Sequence, residues 1–389
     1  MKRVVLAYSG GLDTSVAIKW LRERGFIVDA YMADVGQGGD FKTAKNRAIK
    51  AGADSVIIDD LKREFIDDFV FPSLKANALY EGRYYLATAL SRPVIAKGLV
   101  RAARRLNAQF ISHGCTGKGN DQVRFEVSIG ALDSKLSVIA PVREWEFPSR
   151  EAQIRYAKVN NIPIDVTKKS PYSIDKNLWG MSIECGVLED PWKEPPKDIY
   201  QMTKDPSSAP KRPKYITIGF RKGIPVYLNE KRVRPIDLIK SLNEAGGAYG
   251  VGRADMVENR LVGIKSREIY EAPAAEILVK AHQALESLTL DRELSHFKEA
   301  VSQKYSELIY YGLWYTPLKK ALDKFIDQTQ KNVTGTIRLK LEPGLATVVG
   351  RKSPFSLYKE ELATYSERDK FDQKLAKGFI EIWGLPYRK

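Results

Sequence analysis

Cysteine and histidine are scarce in this sequence of 389 residues, which has two cysteines and three histidines. The cysteines, Cys115 and Cys185, form no CxxC pair, and the histidines are scattered, so their spacing assembles no zinc-type site. A secreted disulfide-stabilised protein uses more cysteine. These absences exclude a disulfide scaffold and favour the cytoplasm.

Long apolar runs are absent as well. No run reaches the roughly 18 apolar residues that a membrane-spanning helix requires. The N-terminal stretch MKRVVLAYSGG has a short apolar run without a small-residue cleavage site, so we interpret it as a first β-strand and not as a signal peptide. The sequence therefore predicts no membrane span.

Positive charge is abundant, because 63 lysines and arginines face 48 aspartates and glutamates, for a net charge of +15. Such a balance is compatible with nucleic-acid binding. The basic residues are nevertheless dispersed, and the densest patch, residues 209–215, lies in a proline-rich segment. We therefore favour anionic small-molecule substrates over nucleic acid as the reason for the charge.

The first third of the chain alternates strand-like and helix-like patterns. This alternation predicts right-handed βαβ units and a parallel sheet with both faces covered. Pro93, near the start of the third helical pattern, is typical of a helix N-terminus. The strand patterns cover 4–8, 26–34, 55–60, 109–114 and 136–141, and the helical patterns cover 14–25, 41–53 and 92–108.

The pattern changes after about Asn161. Residues 166–182 look irregular, residues 191–214 are proline-rich and predict a long loop, and two later stretches, 215–228 and 334–353, each predict a hairpin. We predict an α/β protein with three parts: a parallel-sheet nucleotide-binding domain (1–165), an α+β synthetase domain (166–360) and a C-terminal helical arm (361–389).

The arm carries apolar residues at helical spacing, namely Phe371, Leu375, Phe379 and Ile380. Such a stripe must pack on something. The sequence leaves two alternatives open, which are packing on its own domain and contact with a neighbouring subunit.

The stretch SGGLDTS, residues 9–15, lies between the first strand and the first helix and lacks the lysine of a Walker P-loop. Gly10 and Gly11 let backbone amides point into one concavity, and the helix N-terminus adds partial positive charge. Asp13 is a ligand for a phosphate-bridged Mg²⁺, a plain helix N-cap, or both. Hydroxyls that can donate to phosphate come from Ser9, Thr14 and Ser15.

A second glycine-rich stretch, SHGCTGKGNDQVRFE, residues 112–126, follows the fourth strand pattern. Ligands of open α/β sheets bind at the carboxyl ends of strands. Here Lys118 can contact phosphate, Arg124 can grip a carboxylate, and Asp121 can pair with an ammonium group beside Asn120. The alternative is a turn followed by the start of a surface helix.

These motifs carry a resemblance to known families. The glycine turn resembles the pyrophosphate loop of the N-type ATP pyrophosphatases (the PP-loop superfamily), which release pyrophosphate while AMP is transferred. Longer blocks along essentially the whole chain resemble, in order, those of the argininosuccinate synthases. They are AYSGGLDTS, RYYLATALSRPVIA, SHGCTGKGNDQVRFE, SIDKNLWGMSIECGVLEDP and GVGRADMVENRLVGIKSREIYEAPAA.

The resemblance implies an adenine nucleotide alpha hydrolase-like first domain, a homotetramer, and an ATP- and Mg²⁺-dependent ligase that joins L-citrulline to L-aspartate. ATP would bind at Ala7, Tyr8, Ser9, Gly10, Gly11, Leu12, Asp13, Thr14, Ser15, Ala33 and Gly114. Citrulline would bind at Tyr84, Thr88, Asn120, Arg124, Ser173, Ser182, Glu258 and Tyr270, and aspartate at Thr116, Asn120 and Asp121.

We assign catalytic roles to Asp13, Lys118 and Asp121, with Asp121 as the base that deprotonates the aspartate amine. Ala89 stands where some family members carry serine, and Cys115 stands where alanine is also found, so we expect no thiol chemistry. Two alternative hypotheses about the function stay open. One is another PP-loop enzyme that acts on tRNA, and the other is a non-enzymatic binder that kept the fold.

Overall fold

The computed structural model describes residues 2–147, 149–164 and 171–388. Its strands are β1 (Lys2–Ala7), β2 (Phe26–Asp34), β3 (Ser55–Asp60), β4 (Phe110–Ser112), β5 (Ser137–Ile139), β6 (Ser173–Lys176), β7 (Met181–Glu184), β8 (Lys214–Arg221), β9 (Ile224–Leu228), β10 (Lys231–Arg232), β11 (Arg253–Asn259), β12 (Lys265–Glu271), β13 (Gly335–Glu342) and β14 (Leu345–Lys352).

Its helices are α1 (Leu12–Glu23), α2 (Phe41–Lys50), α3 (Lys62–Phe65), α4 (Phe71–Lys75), α5 (Ala87–Arg105), α6 (Asp121–Leu132), α7 (Pro141–Glu144), α8 (Arg150–Val159), α9 (Pro235–Ala248), α10 (Pro273–Thr289), α11 (Arg292–Tyr310), α12 (Pro317–Thr329), α13 (Glu360–Ala363) and α14 (Leu375–Trp383). A π-helical turn, Ile66–Val70, joins α3 to α4.

The first sheet is five-stranded and parallel, with the order β3-β2-β1-β4-β5, which confirms the predicted α/β class. Successive side chains of a strand point to opposite faces. Val4 and Leu6 therefore pack with α1 on one face, while Val5 packs with α5 on the other. The strand order reverses beside β1, and the crevice at such a switch point is where ligands bind in open α/β sheets.

Helix α5 begins at Ala87, and Pro93 lies inside it, so the prediction that this proline marks the helix start is wrong. The hydroxyl of Tyr84 accepts hydrogen bonds from the backbone N–H groups of Thr88 and Ala89, at 3.0 and 3.2 Å. These first-turn donors have no partner within a helix. A side chain that folds back from before the helix thus caps it, which the local pattern did not indicate.

The second part of the chain contains two antiparallel sheets, with the orders β11-β12-β7-β6 and β10-β9-β8-β13-β14. The predicted hairpins are confirmed as β8–β9 and β13–β14. One large apolar cluster combines residues 61–94 with side chains of α9, α10 and the second of these sheets, so the two parts share a core. The predicted domain boundary at 165/166 falls outside the described residues, as does part of the stretch 166–182. The rest of that stretch contains β6 and the start of β7, so the prediction that it is irregular is wrong there.

The arm after β14 is mostly exposed to solvent. In α14, Leu375, Phe379 and Trp383 are 71%, 63% and 67% exposed, although Phe379 and Trp383 stack on each other at 5.7 Å between ring centroids. Its apolar stripe is therefore not covered by the chain's own described residues. Across residues 2–147, 149–164 and 171–388, no helix is long and apolar enough to cross a membrane.

Candidate active site

A cleft of about 660 Å³ opens at the carboxyl end of the parallel sheet and extends to the sheet that contains β7, β11 and β12. Most residues proposed from sequence line it. They are Ala7, Tyr8, Ser9, Gly11, Asp13, Thr14, Ala33, Tyr84, Thr88, Gly114, Thr116, Asn120, Asp121, Arg124, Ser173, Ser182, Glu258 and Tyr270. Four proposed residues do not line it, namely Gly10, Leu12, Ser15 and Lys118.

The phosphate end of the cleft is built by the glycine turn between β1 and α1. Gly10 has a positive φ of 82°, and Gly11 is the extended N-cap of α1 without a side-chain capping bond. A Cβ added to Gly114 would lie 2.9 Å from Cγ2 of Thr14, so the two glycine-rich stretches approach each other closely. The free N–H groups of the α1 terminus thus face a narrow concavity suited to an anion.

The hydroxyls of the turn divide into two groups. Ser9 Oγ and Thr14 Oγ1 are 3.1 Å apart, and both residues line the cleft. Ser15, in contrast, is buried. Its Oγ donates to the Gly11 carbonyl at 2.8 Å and lies 3.0 Å from the Tyr8 hydroxyl, so it stabilises the turn on the side away from the cleft. Lys118 is exposed beside the cleft.

Asp13 is the second residue of α1, and the N-cap position belongs to Gly11, so the alternative that Asp13 is the N-cap is wrong. Its side chain lines the cleft. Burial raises the pKa of this carboxyl, and the charge of Arg150 opposes the rise only in part. A bound cation would stabilise its ionised form.

The other end of the cleft holds a partly buried cluster of charges. Asp121 accepts from Arg92 Nη2 at 2.7 Å and from Arg124 Nη1 at 2.9 Å, and Arg92 also pairs with Asp175. Burial raises the pKa of Asp121, but the two guanidinium groups outweigh it and hold the pKa below its ordinary value. A carboxylate held in its ionised form is a weak proton acceptor, so this geometry does not favour Asp121 as a general base.

A hydrogen-bonded network stands beside this cluster. Glu258 accepts from the Tyr270 hydroxyl at 2.6 Å, and the ring of Tyr84 stacks on the ring of Tyr270 at 4.0 Å. Thr88 Oγ1 and Ser182 Oγ lie 3.2 Å apart. The structure thus brings together substrate residues proposed from α5, β7, β11 and β12. Ala89 is fully buried and does not line the cleft.

Sequence reasoning missed six charged residues that line the cleft, which are Arg92, Asp175, Lys176, Glu184, Arg260 and Glu268. Arg260 donates to Glu268 at 2.6 Å and also pairs with Glu184. Burial and the charge of Glu184 raise the pKa of Glu268 to about 8. A usable signal was the two-residue period of β12, which places Glu268 and Tyr270 on one face of the strand.

Two other groups at the cleft do not indicate further chemistry. Burial lowers the pKa of His113, whose Nε2 lies 3.2 Å from Glu126. Burial raises the pKa of Cys115 to about 12, so its thiol is protonated at neutral pH. Within the described part of the chain, no group of three or more His, Cys, Asp or Glu residues is arranged to hold a metal.

Comparisons with known proteins cover the full length of the chain. The family descriptions "Arginosuccinate synthase N-terminal HUP domain" and "Arginosuccinate synthase C-terminal domain" match residues 3–163 and 172–389. The chain is 57% identical to the argininosuccinate synthase of Aquifex aeolicus over 100% of its own length and 97% of that protein. It is 58% identical to that of Gloeobacter violaceus, over 100% and 98%. It is also 58% identical to that of Geobacillus kaustophilus, over 99% and 94%.

Proposed function

The chain belongs to the argininosuccinate synthase family, and from this premise we propose how its cleft carries out the reaction of that family. The protein is an ATP-dependent, AMP-forming carbon–nitrogen ligase of arginine biosynthesis. It condenses L-citrulline with L-aspartate through a citrullyl-adenylate and yields argininosuccinate, AMP and pyrophosphate. One observation supports the assignment of this reaction to the cleft. A single cavity contains both the glycine turn and a set of acidic and basic side chains.

In the proposal, the phosphate end holds the triphosphate of ATP. The amides of the glycine turn and the α1 N-terminus, with the hydroxyls of Ser9 and Thr14, stabilise the charge that develops on the pyrophosphate leaving group. Ala33 and Gly114 line the nucleotide side, and Lys118 reaches the phosphates from the surface. The close approach of Gly114 to Thr14 supports this placement.

The proposal includes Mg²⁺, for which the residues present are suitable. Asp13 offers one half-buried carboxylate in the phosphate cradle, and the described residues offer no acidic cluster around it. Mg²⁺ in nucleotide sites takes one or two protein carboxylates and completes its shell with phosphate oxygens and water. Bound there, it would supply neutralising charge to the leaving pyrophosphate.

Citrulline and aspartate occupy the charged end. Arg124 grips the citrulline carboxylate, while Glu258 and Tyr270 bind its polar groups and turn the ureido oxygen toward the α-phosphorus. Further contacts come from Tyr84, Thr88, Asn120, Ser173 and Ser182. Thr116, Asn120 and Asp121 bind aspartate, whose amine then displaces AMP. Asp121, held ionised by Arg92 and Arg124, serves as the partner of the aspartate ammonium.

The proposal also covers assembly, location and domain division. The exposed apolar face of α14 supports a homotetramer in which residues 361–389 contact a neighbouring subunit. The rest of the chain would form a nucleotide-binding domain at 1–165 and a synthetase domain at 166–360. Light scattering on the full chain and on a chain ending at residue 360 tests this, because only the full chain should be tetrameric. The low cysteine content supports a location in the cytoplasm. The net positive charge is explained by anionic small-molecule substrates, so the proposal includes no nucleic acid.

Pyrophosphate release from Mg-ATP is the first test, with citrulline alone, aspartate alone and both together. Sustained release only with both substrates, matched by AMP and argininosuccinate, supports the proposal. ATP binding without release would instead indicate a non-enzymatic binder. Turnover only on addition of tRNA would indicate a different PP-loop enzyme.

A further inference from the structure

Tyr310, the last residue of α11, contacts three residues of the substrate end without lining the cleft itself. Its hydroxyl accepts from Asn120 Nδ2 at 2.8 Å and donates to Glu258 Oε1 at 2.5 Å. Its carbonyl accepts from Arg124 Nε at 2.9 Å, and its ring centroid lies 4.8 Å from the Arg124 guanidinium. No sequence motif pointed to this tyrosine.

The hydrogen bonds around Tyr310 have a defined direction. The backbone N–H of Leu261 donates to Asn120 Oδ1 at 2.9 Å, so the amide of Asn120 turns its NH₂ group toward Tyr310. The Tyr310 oxygen is then an acceptor on that side, and its proton goes to Glu258. Tyr270 donates to the second oxygen of the same carboxylate. All these bonds are satisfied together when Glu258 is ionised.

The ring of Tyr310 is held firmly in this position. It stacks on Tyr80 at 3.6 Å between centroids with planes 5° apart, and the Tyr80 hydroxyl donates to the Asn259 carbonyl at 2.8 Å. Gly312, two residues further along the chain, has a φ of 75°, and a Cβ there would lie 2.7 Å from Cα of Arg124. The end of α11 therefore sits against α6 with little room for the tyrosine to reorient.

We propose that Tyr310 is a positioning residue for the citrulline site, which holds Glu258 as an ionised acceptor, fixes the amide of Asn120 and orients the guanidinium of Arg124. The inference rests on the proposed function. The side chain of Tyr310 in α11 connects two segments that are distant in sequence, namely Asn120, which precedes α6, and Glu258 in β11. Removal of the hydroxyl should therefore act on citrulline use without direct effect on the nucleotide end.

The test compares Tyr310→Phe with Tyr305→Phe in the full-length protein. Tyr305 lies in the same helix, is also fully buried and also donates to a carboxylate, Asp323 at 2.7 Å, away from the cleft. For Tyr310→Phe we expect the KM for citrulline to rise about tenfold or more, because a hydrogen bond to a charged group is lost, while the KM for ATP changes less than about threefold. Tyr305→Phe should leave both KM values near wild type.

The pH dependence supplies a second readout that a merely structural role would not move. Burial raises the pKa of Glu258, and the hydroxyls of Tyr270 and Tyr310 lower it. Loss of one donor raises this pKa, so the acid limb of kcat/KM for citrulline should move to higher pH in Tyr310→Phe alone. The other charged or titratable groups that face Glu258 are the same in both variants, and they are Arg124, Arg260, Glu268, Tyr80 and Tyr84.

The outcomes separate this inference from the proposed function. Wild-type protein that makes no argininosuccinate overturns both. Active wild type, with a Tyr310→Phe variant whose citrulline KM and acid limb match those of wild type or of Tyr305→Phe, overturns the inference alone. Thermal stability is measured for both variants together with the kinetics. If the two variants are equally stable, a defect in citrulline use that is confined to Tyr310→Phe supports the positioning role.

Discussion

The two ends of the cleft are built in different ways. The phosphate end comes largely from one continuous stretch, residues 7–15, with backbone amides, small hydroxyls and a single acid. The amino-acid end takes side chains from α5, the start of α6, β6, β7, β11 and β12, and most of these side chains are charged or hydrogen-bonded to one another. An anion needs only well-placed donors, which a glycine turn supplies locally.

A zwitterionic amino acid needs both signs of charge within a few ångströms. Buried charges require partners, because desolvation otherwise outweighs their attraction. Arg92, Asp121, Arg124 and Asp175 form ion pairs with one another. The difference suggests that damage at the phosphate end affects turnover, whereas damage at the amino-acid end affects both citrulline use and stability.

The largest effect is expected from Asp13→Ala, which removes the one carboxylate that the described residues place in the phosphate cradle. We expect kcat to fall by about a thousandfold, the range seen when transition-state charge stabilisation is lost, with citrulline affinity changed less than about threefold. Steady-state pyrophosphate release and calorimetric citrulline binding measure the two. The control is Asp291→Ala, because Asp291 caps α11 by accepting from Leu294 N–H at 3.0 Å. It should lower thermal stability but keep kcat, and an unchanged kcat in Asp13→Ala would refute the metal role.

Arg124→Leu tests the amino-acid end. It leaves Asp121 with Arg92 as its remaining partner. A hydrogen bond to a charged group contributes about 1.5–3 kcal/mol, so we expect a loss of thermal stability of that order. The KM for citrulline should rise about a hundredfold, while the KM for ATP changes little. Arg104→Leu removes an arginine that pairs with Asp133 at the surface, and should change thermal stability far less, because exposed ion pairs contribute little. Similar losses in both variants would contradict the comparison.

Gly114→Ala tests the close approach at the phosphate end. Its Cβ would lie 2.9 Å from Thr14 Cγ2, so the Thr14 side chain or the turn must shift. We therefore expect the KM for ATP to rise about tenfold or more, with little change for citrulline. The matched change is Gly130→Ala in the exposed interior of α6, where a Cβ would meet nothing within 4 Å. That variant should keep its kinetics and gain about 0.5–1 kcal/mol of stability. ATP kinetics that are equal in the two variants would exclude the tight turn as a requirement.

Glu268→Gln tests the charge balance around Arg260 through pH. The folded-state pKa of Glu268 is about 8, above its ordinary value, so the folded protein binds the extra proton and wild-type stability falls as pH rises toward 8. Glutamine mimics the protonated acid. The Tm of the variant relative to that of wild type should therefore rise by a few degrees between about pH 5 and pH 8. Thermal scans across this range measure the difference, and a constant offset would contradict the raised pKa.

The smallest effect is expected from Cys115→Ala. The thiol lines the cleft, but its pKa of about 12 leaves it protonated and unreactive. Activity should stay within about twofold of wild type. A large loss of activity, or rapid inactivation of wild type by a thiol alkylator at pH 7, would assign this cysteine a role that we do not expect.

Much of the fold was predictable from sequence, because it follows from local periodicity. All five parallel strands and both hairpins are where their patterns indicated. The start of α5 was not anticipated, because its cap is the hydroxyl of Tyr84, and tyrosine is not one of the residues that usually cap a helix N-terminus. Helices α3 and α4 were not anticipated either, because their apolar residues join a core shared with α9 and α10, which are distant in sequence.

The sequence by itself determined the glycine turn, since Gly10, Gly11 and a following helix create an anion site whose geometry depends on a few consecutive residues. Only the tertiary structure decided which charges face one another. The pairing of Arg92 with Asp175, the pairing of Arg260 with Glu184, and the contacts of Tyr310 with Asn120 and Glu258 all join segments far apart in the chain. Periodicity reports which face a residue occupies, but the partner that stabilises a buried charge depends on the packing of the whole chain.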